Sequence, residues 1–239
     1  MAADEEADEL LAGAHDEATL EAWIVRREQG EPLAWITGTQ RFCGRQIRVD
    51  AGVYVPRPQS EELARRAADA LGGDGGPALD LCTGSGAVAH HLTARVPNAT
   101  VVATDIDRRA VLCARSNGVR AVQADLAGPF GDGTFGMVTA LAPYVPTTAL
   151  ALLPADVQRH EPRRALDGGP DGLQVVRRIA GAARRVLRPG GWLFLELGGE
   201  QGPAMALALA DSGWREVSMW TDEEGDLRGL SARLAAART

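Results

Sequence analysis

The segment Asp80-Leu81-Cys82-Thr83-Gly84-Ser85-Gly86 has the residue types that hold a ligand at a chain turn. It closes the apolar run Ala78–Leu81 and opens a helix-forming run from Ala87, so it reads as a strand-to-helix loop. Glycines 84 and 86 let the backbone approach a ligand closely, and the helix beyond presents free N–H groups at its start. Such a loop alone also fits a tight β-to-α connection that binds nothing. Two acids narrow the choice. Asp105 closes a second apolar run about twenty residues after the loop, where nucleotide folds place a ribose-binding carboxylate. Asp125 closes a third, where a carboxylate meets an adenine amino group. Acids at successive strand ends predict an adenosine site. Asp107 reads instead as the cap of a helix starting at Arg108.

A nicotinamide-binding loop would carry a third glycine three residues past Gly86; Ala89 stands there, which that fingerprint sometimes permits. The distinction rests on Leu141-Ala142-Pro143-Tyr144, which follows a fourth apolar run. A Pro-Tyr pair at the ligand edge sets a stiff backbone and an aromatic face beside a reacting centre, which dehydrogenases do not characteristically place there. Tyr144 reads as a wall rather than a base, since an ordinary phenol is protonated at neutral pH. His90 and His91 read as packing or surface residues. His160, just before Glu161-Pro162, lies nearer the expected substrate loop, with a role as base the minority alternative.

These residues need a scaffold. Residues 1–30 predict one or two short helices, and residues 31–58 a β-hairpin ending at Pro56-Arg57-Pro58. A helix over 60–71 and a glycine-rich loop over 72–76 follow. Strands are expected over 78–81, 100–104, 121–123, 135–140 and 191–197, and helices over 87–96, 108–116, 172–186 and 202–211. Two strands, over 214–220 and 229–234, end the pattern. Alternation of this kind calls for a parallel sheet covered on both faces, so residues 59–239 are expected to form one α/β domain.

The 239 residues are 45% hydrophobic, enough for a sizeable core, and no apolar stretch is long enough to span a bilayer. A net charge of -7 disfavours bulk nucleic-acid binding, and all 25 basic residues are arginine, a coding bias without functional content. Cys43, Cys82 and Cys113 lack metal-site or disulfide spacing, so neither a metal nor a disulfide framework is expected. Five acids and no base within residues 1–10 oppose a presequence and read as a solvated tail, giving a cytoplasmic expectation.

Further segments carry a resemblance: Glu31-Pro32-Leu33-Ala34-Trp35-Ile36-Thr37-Gly38, Pro56-Arg57-Pro58-Gln59-Ser60-Glu61, Glu161-Pro162-Arg163-Arg164-Ala165-Leu166-Asp167-Gly168-Gly169, Arg188-Pro189-Gly190-Gly191-Trp192 and Leu195-Glu196-Leu197-Gly198. With the glycine loop, over residues 31–209, the chain resembles the PrmC/HemK type of protein-(glutamine-N5) methyltransferase, which methylates the Gly-Gly-Gln glutamine of peptide-chain release factors. The resemblance implies a Rossmann-like class I fold dependent on S-adenosyl-L-methionine (SAM), with a seven-stranded, mostly parallel sheet and S-adenosyl-L-homocysteine as product. By that likeness Asp80, Cys82, Thr83, Gly84, Ser85 and Gly86, Asp105 with Ile106, and Asp125 with Leu126 hold SAM, and Arg57 closes over it. Leu141, Pro143 and Tyr144 wall the methyl site. The family has Asn-Pro-Pro-Tyr there, and the Asn that grips the substrate amide is Leu141 in this chain. About thirty residues precede the hairpin, where family members carry a longer helical domain. Three readings follow: a methyltransferase acting on a release factor or related protein, one redirected to a small-molecule acceptor, and a SAM-binding pseudoenzyme.

Overall fold

The computed structural model describes residues 3–74 and 76–236. Helices α1 (Ala3–Gly13) and α2 (Glu17–Glu28) open the chain, and Asp16 caps α2 by accepting from the Thr19 N–H at 2.8 Å. The acidic run expected as a solvated tail is helical from Ala3, and Met1 and Ala2 lie outside the described residues. It is helical because Leu10 packs with Leu33 and Ile36, while Glu6 pairs with Arg27 at 2.8 Å.

The expected hairpin is shorter than its 31–58 span. Residues Leu33–Thr37 form a helical turn, α3, begun by Pro32 and stopped by Gly38 at φ 78°, so Trp35 and Ile36 lie on a helix and not a strand. The hairpin is β1 (Thr39–Phe42) against β2 (Arg45–Arg48), turned by Cys43 and Gly44 at φ 49° and 74°. That left-handed pair matches the twist of the strands it joins. Residues 49–57 run on irregularly to a 3₁₀ turn at Pro58–Ser60. Helix α4 (Glu61–Asp74) carries on through Gly72 and Gly73, where a loop is expected; its stripe Leu63, Ala64, Ala67, Ala68 and Leu71 is buried, and Gly75 lies outside the described residues.

From Ala78 the chain alternates: β3 (Ala78–Leu81), α5 (Ala87–Arg95), β4 (Val101–Asp105), α6 (Arg108–Ser116), β5 (Ala121–Gln123) and β6 (Phe135–Ala140). A long connection holds α7 (Ala155–His160), then come α8 (Gln174–Val186), β7 (Leu187–Glu196), α9 (Gln201–Asp211), β8 (Trp214–Thr221) and β9 (Leu227–Leu234). Among the described residues the main sheet has seven strands in the order β5-β4-β3-β6-β7-β9-β8, parallel from β5 to β7 and antiparallel at β9 and β8. Strand β7 starts earlier than the expected 191, and its register against β6 shifts between Phe135 and Met137.

Both faces are covered, so β6 is buried at every residue. Leu79, Val138, Leu193 and Leu195 pack under α8, whose Val176, Ile179, Ala183 and Val186 form its buried stripe. Ala78, Met137 and Phe194 face α4 and α5 on the other side. Among the described residues no helix is long and apolar enough to cross a membrane.

Asn117, just past α6, ties the hairpin to this sheet. It accepts from the Arg48 N–H at 2.9 Å, and its amide nitrogen donates to the Arg48 carbonyl at 2.9 Å and to the Ser85 carbonyl at 2.8 Å. Replacing Asn117 by Ala breaks three bonds at once and is expected to cost ~1–3 kcal/mol in denaturant unfolding, with hydrogen exchange rising first in residues 45–49. Unchanged exchange there would show that the hairpin is held by packing alone.

Candidate functional site

A cavity of ≈ 590 Å³ opens at the carboxyl ends of β3, β4, β6 and β7, the edge where ligands sit in doubly wound sheets. Each expected site residue lines it except Gly86. Gly86 sits at φ 82°, and a Cβ there would stand 2.9 Å from the Ala114 Cβ and 3.0 Å from Val119 Cγ2. Its small size therefore brings α6 against the loop rather than admitting a ligand. Gly84, at φ 57°, is the opposite case, since a Cβ there would meet nothing within 4 Å. The ligand-facing glycine is Gly84, and the packing glycine is Gly86.

The acids along β3, β4 and β5 at this edge are in different states. Asp80 is 2% exposed, and its two oxygens accept from Thr83 Oγ1 at 2.6 Å and Thr139 Oγ1 at 2.7 Å. Burial pushes its pKa up to about 6, against the opposing pull of those hydroxyls. Its bonds shape the loop. Asp105 accepts from the Gly84 N–H and the Asp107 N–H, each at 2.9 Å, which locks the loop after β3 to the end of β4. Burial raises its pKa against those backbone donors. Asp107 caps α6, accepting from the Arg109 N–H at 2.9 Å. Asp125 stands in solvent at the cavity rim, paired with Arg178 at 2.7 Å. Cys82 and Leu126 turn their loops at φ 56° and 49°, strained conformations for side chains of their kind. Burial raises the Cys82 thiol, so it stays protonated.

Arg57 reaches the cavity from the segment after the hairpin and forms an ion pair with Glu161, whose side chain is 1% exposed. The guanidinium also lies over the Tyr54 ring, 5.2 Å from its centroid. This pair joins the N-terminal side of the cavity to the connection after β6. That connection folds back on itself: the Val145 N–H donates to the Leu166 carbonyl, and Thr147 Oγ1 donates to Asp167 at 2.6 Å.

Leu141, Ala142, Pro143 and Tyr144 line the cavity beyond β6. Gln201 holds the Tyr144 carbonyl with a 2.7 Å bond, and Gly198 leaves room for its ring, since a Cβ there would stand 3.1 Å from Tyr144 Cε2. Burial and then the Glu196 carboxylate raise the Tyr144 pKa, so the phenol is a neutral wall and no base. Tyr54, lifted by burial to about 12, faces the same space. His160 does not line the cavity; its Nε2 is buried without a partner among the described residues, and its ring meets the Trp35 edge at 6.3 Å.

The Methyltransferase domain family matches residues 78–160. Curated relatives called release factor glutamine methyltransferase extend the match: that of Geobacter sulfurreducens is 36% identical over 88% of this chain and 76% of its own length, and that of Moorella thermoacetica 39% over 84% and 75%. The chain belongs to the release factor glutamine methyltransferase family. Its fold is also that of the E. cuniculi Mtq2-Trm112 complex, responsible for methylating the eRF1 translation termination factor (TM-score 0.56, 25% identity, covering 77% of this chain and 99% of that one). A ribosomal protein L11 methylase from Lactobacillus delbrueckii subsp. bulgaricus shares the fold at TM-score 0.57 and 18% identity, covering 82% of this chain and 90% of that one. The chain is thus a methyltransferase of the class I, Rossmann-like kind.

The sequence pattern assigns no role to Tyr54, Glu196 and Arg228, which also line the cavity, or to Glu161, which pairs with Arg57 beside it. Glu161 and Glu196 stood in the family-like segments, but what marks them as site residues is burial, which no spacing reveals.

Asp80 offers a pH test. Its folded pKa lies above the ordinary value of an aspartate, so its contribution is greatest below the unfolded value and is lost as pH rises through about 6. The stability difference between the parent and Asp80→Asn should therefore shift against the parent by on the order of 3 kcal/mol from pH 4 to pH 7 in paired unfolding titrations. A flat difference would mean that Asp80 ionises in the fold as it does in water.

Proposed function

We propose that the chain transfers a methyl group from SAM to the side-chain nitrogen of a protein glutamine, with a peptide-chain release factor as substrate. The observation that carries this reading is the meeting in one cavity of an open Gly84 loop, Asp105 and Pro143-Tyr144, in a chain of this family. The cavity's size suits a nucleoside ligand, and the unobstructed Gly84 backbone fits close approach by its methionine end. Bound SAM supplies an electrophilic sulfonium methyl.

Each residue then has a part. Asp105 exchanges part of its present bonding for the ribose hydroxyls, and Asp125 with Leu126 borders the adenine. Ile106, exposed beside Asp105, gives the base an apolar cover. Asp80 and Thr83 hold the shape of the loop. Arg57, through Glu161, draws the N-terminal segment and the β6 connection over the cavity and excludes water. Pro143 and Tyr144 confine the accepting nitrogen in line with the methyl; approximation of this kind supplies most of the acceleration, with no covalent enzyme intermediate.

A small-molecule acceptor is the second reading, favoured by one observation: Leu141 presents an apolar wall where the family's amide-gripping Asn stands. The test is to incubate the full chain with methyl-labelled SAM and a release factor, beside Leu141→Asn, and locate label by mass spectrometry. Label on the Gly-Gly-Gln glutamine from the unaltered chain is the expected result. No label with either protein, while a protein-free metabolite extract is methylated, would replace the release factor with a small molecule. In direct titrations Asp105→Ala should weaken SAM binding at least ~10-fold, since it removes hydrogen bonds to a charged acceptor.

A further inference from the structure

Glu196 closes β7 at the cavity, 5% exposed, and its Oε2 meets no hydrogen-bond partner among the described residues. Sheet register sets Leu195 beside Ala140, so the next residues, Glu196 and Leu141, leave their strands side by side. Strand alternation puts both on the α4 face, where Phe194 and Leu141 share one core. Leu141 can neither donate nor accept a hydrogen bond. The adjacent strand therefore offers, at the same place, a cavity-lining carboxylate with an unmet oxygen, a state that calls for an explanation such as a catalytic role.

The groups facing Glu196 are the hydroxyls of Ser60 and Tyr144, the cations Arg228 and Arg57, and Tyr54. Arg228 is already engaged by Asp222, with Nε donating at 2.6 Å, so it does not neutralise Glu196 outright.

We propose that Glu196 is a catalytic residue of this chain, the carboxylate that holds the methyl-accepting nitrogen by its N–H and takes the proton released on transfer. The proposal rests on the glutamine-methyltransferase reading above. The nitrogen lone pair forms the new bond to the methyl carbon, the sulfur–carbon bond breaks with its pair left on sulfur, and the N–H proton passes to Glu196. A neutral methyl-amide and a neutral carboxylic acid result. Burial raises the pKa of Glu196 and so favours that protonated product state.

The test compares the full chain with Glu196→Gln and Glu196→Ala in two measurements. One is kcat against a release factor as a function of pH. The other is the affinity for N-acetylglutamine amide in the presence of S-adenosylhomocysteine. Glu196→Gln keeps an acceptor oxygen but no base, so it should retain probe affinity within about threefold and lose kcat by ~100-fold or more, together with the acid limb of the parent's pH profile. Glu196→Ala should also weaken the probe by ~10-fold. A Glu196→Gln enzyme with kcat within about threefold of the parent and the same acid limb overturns the assignment, as does an Ala variant that binds the probe like the parent. The near-isosteric Gln variant keeps the test valid if the Ala variant unfolds. A parent that leaves the factor unlabelled yet binds the probe through Glu196 sinks the release-factor reading and upholds the residue; a parent that does neither overturns both.

Discussion

The parallel pairing of β3, β4, β5, β6 and β7 is the constraint on which the remainder of the molecule depends. Parallel neighbours need a crossover between them, so each strand must be followed by a segment that climbs back over the sheet. Every strand-to-helix turn then falls on one edge. That edge collects Asp80, Asp105 and Leu141, and Glu196 joins them from β7. Nothing chemical in these residues draws them together; apolar burial on both sheet faces does, through cores set by α4 and α5 on one side and α8 and α9 on the other.

A cluster of acids beside a cavity is electrostatically costly unless each finds its own remedy. Asp80 uses two threonine hydroxyls, Asp105 two backbone N–H groups, Asp125 a solvated arginine and Glu161 a half-buried one. The magnitudes differ. An exposed pair such as Asp125 with Arg178 contributes ~0–1 kcal/mol, whereas stripping the partner from an enclosed carboxylate such as Glu161 costs ~3–5 kcal/mol. Arg57 is therefore a structural necessity for the connection after β6 as well as a wall of the cavity. Glu161 and Glu196 each keep one buried oxygen without a hydrogen-bond partner among the described residues, and of the two it is Glu196 that lines the cavity.

The two loop glycines divide their work for a steric reason. Gly86 gives up its side chain to α6, and the close packing this allows sets the helix N-terminus after β3 at the cavity mouth. Gly84 gives up its side chain to open space, with its N–H held by Asp105. A similar economy operates at Gly198, where the missing side chain makes room for the Tyr144 ring. Small residues thus place the aromatic wall and the open loop in one cavity.

The sequence by itself determined the sheet elements, because strands buried on both faces are short apolar runs between turn residues and amphipathic helices repeat their apolar positions; Ala78–Leu81, Arg108–Ser116, Ala121–Gln123 and Phe135–Ala140 fall where the pattern puts them. It also singled out the glycine loop, Asp105, Asp125 and Pro143-Tyr144, since each lies next to a strand end and strand ends are local features. Where long-range packing competes with local preference, the pattern misleads: Trp35 and Ile36 fold as a helical turn, and α4 runs through two glycines. Only the tertiary structure decided that Gly86 is a packing residue, that Arg57 answers Glu161 across 104 residues of chain, and that Glu196 stands beside Leu141. Burial and strand order cause these, and both are properties of the assembled sheet rather than of any segment within it.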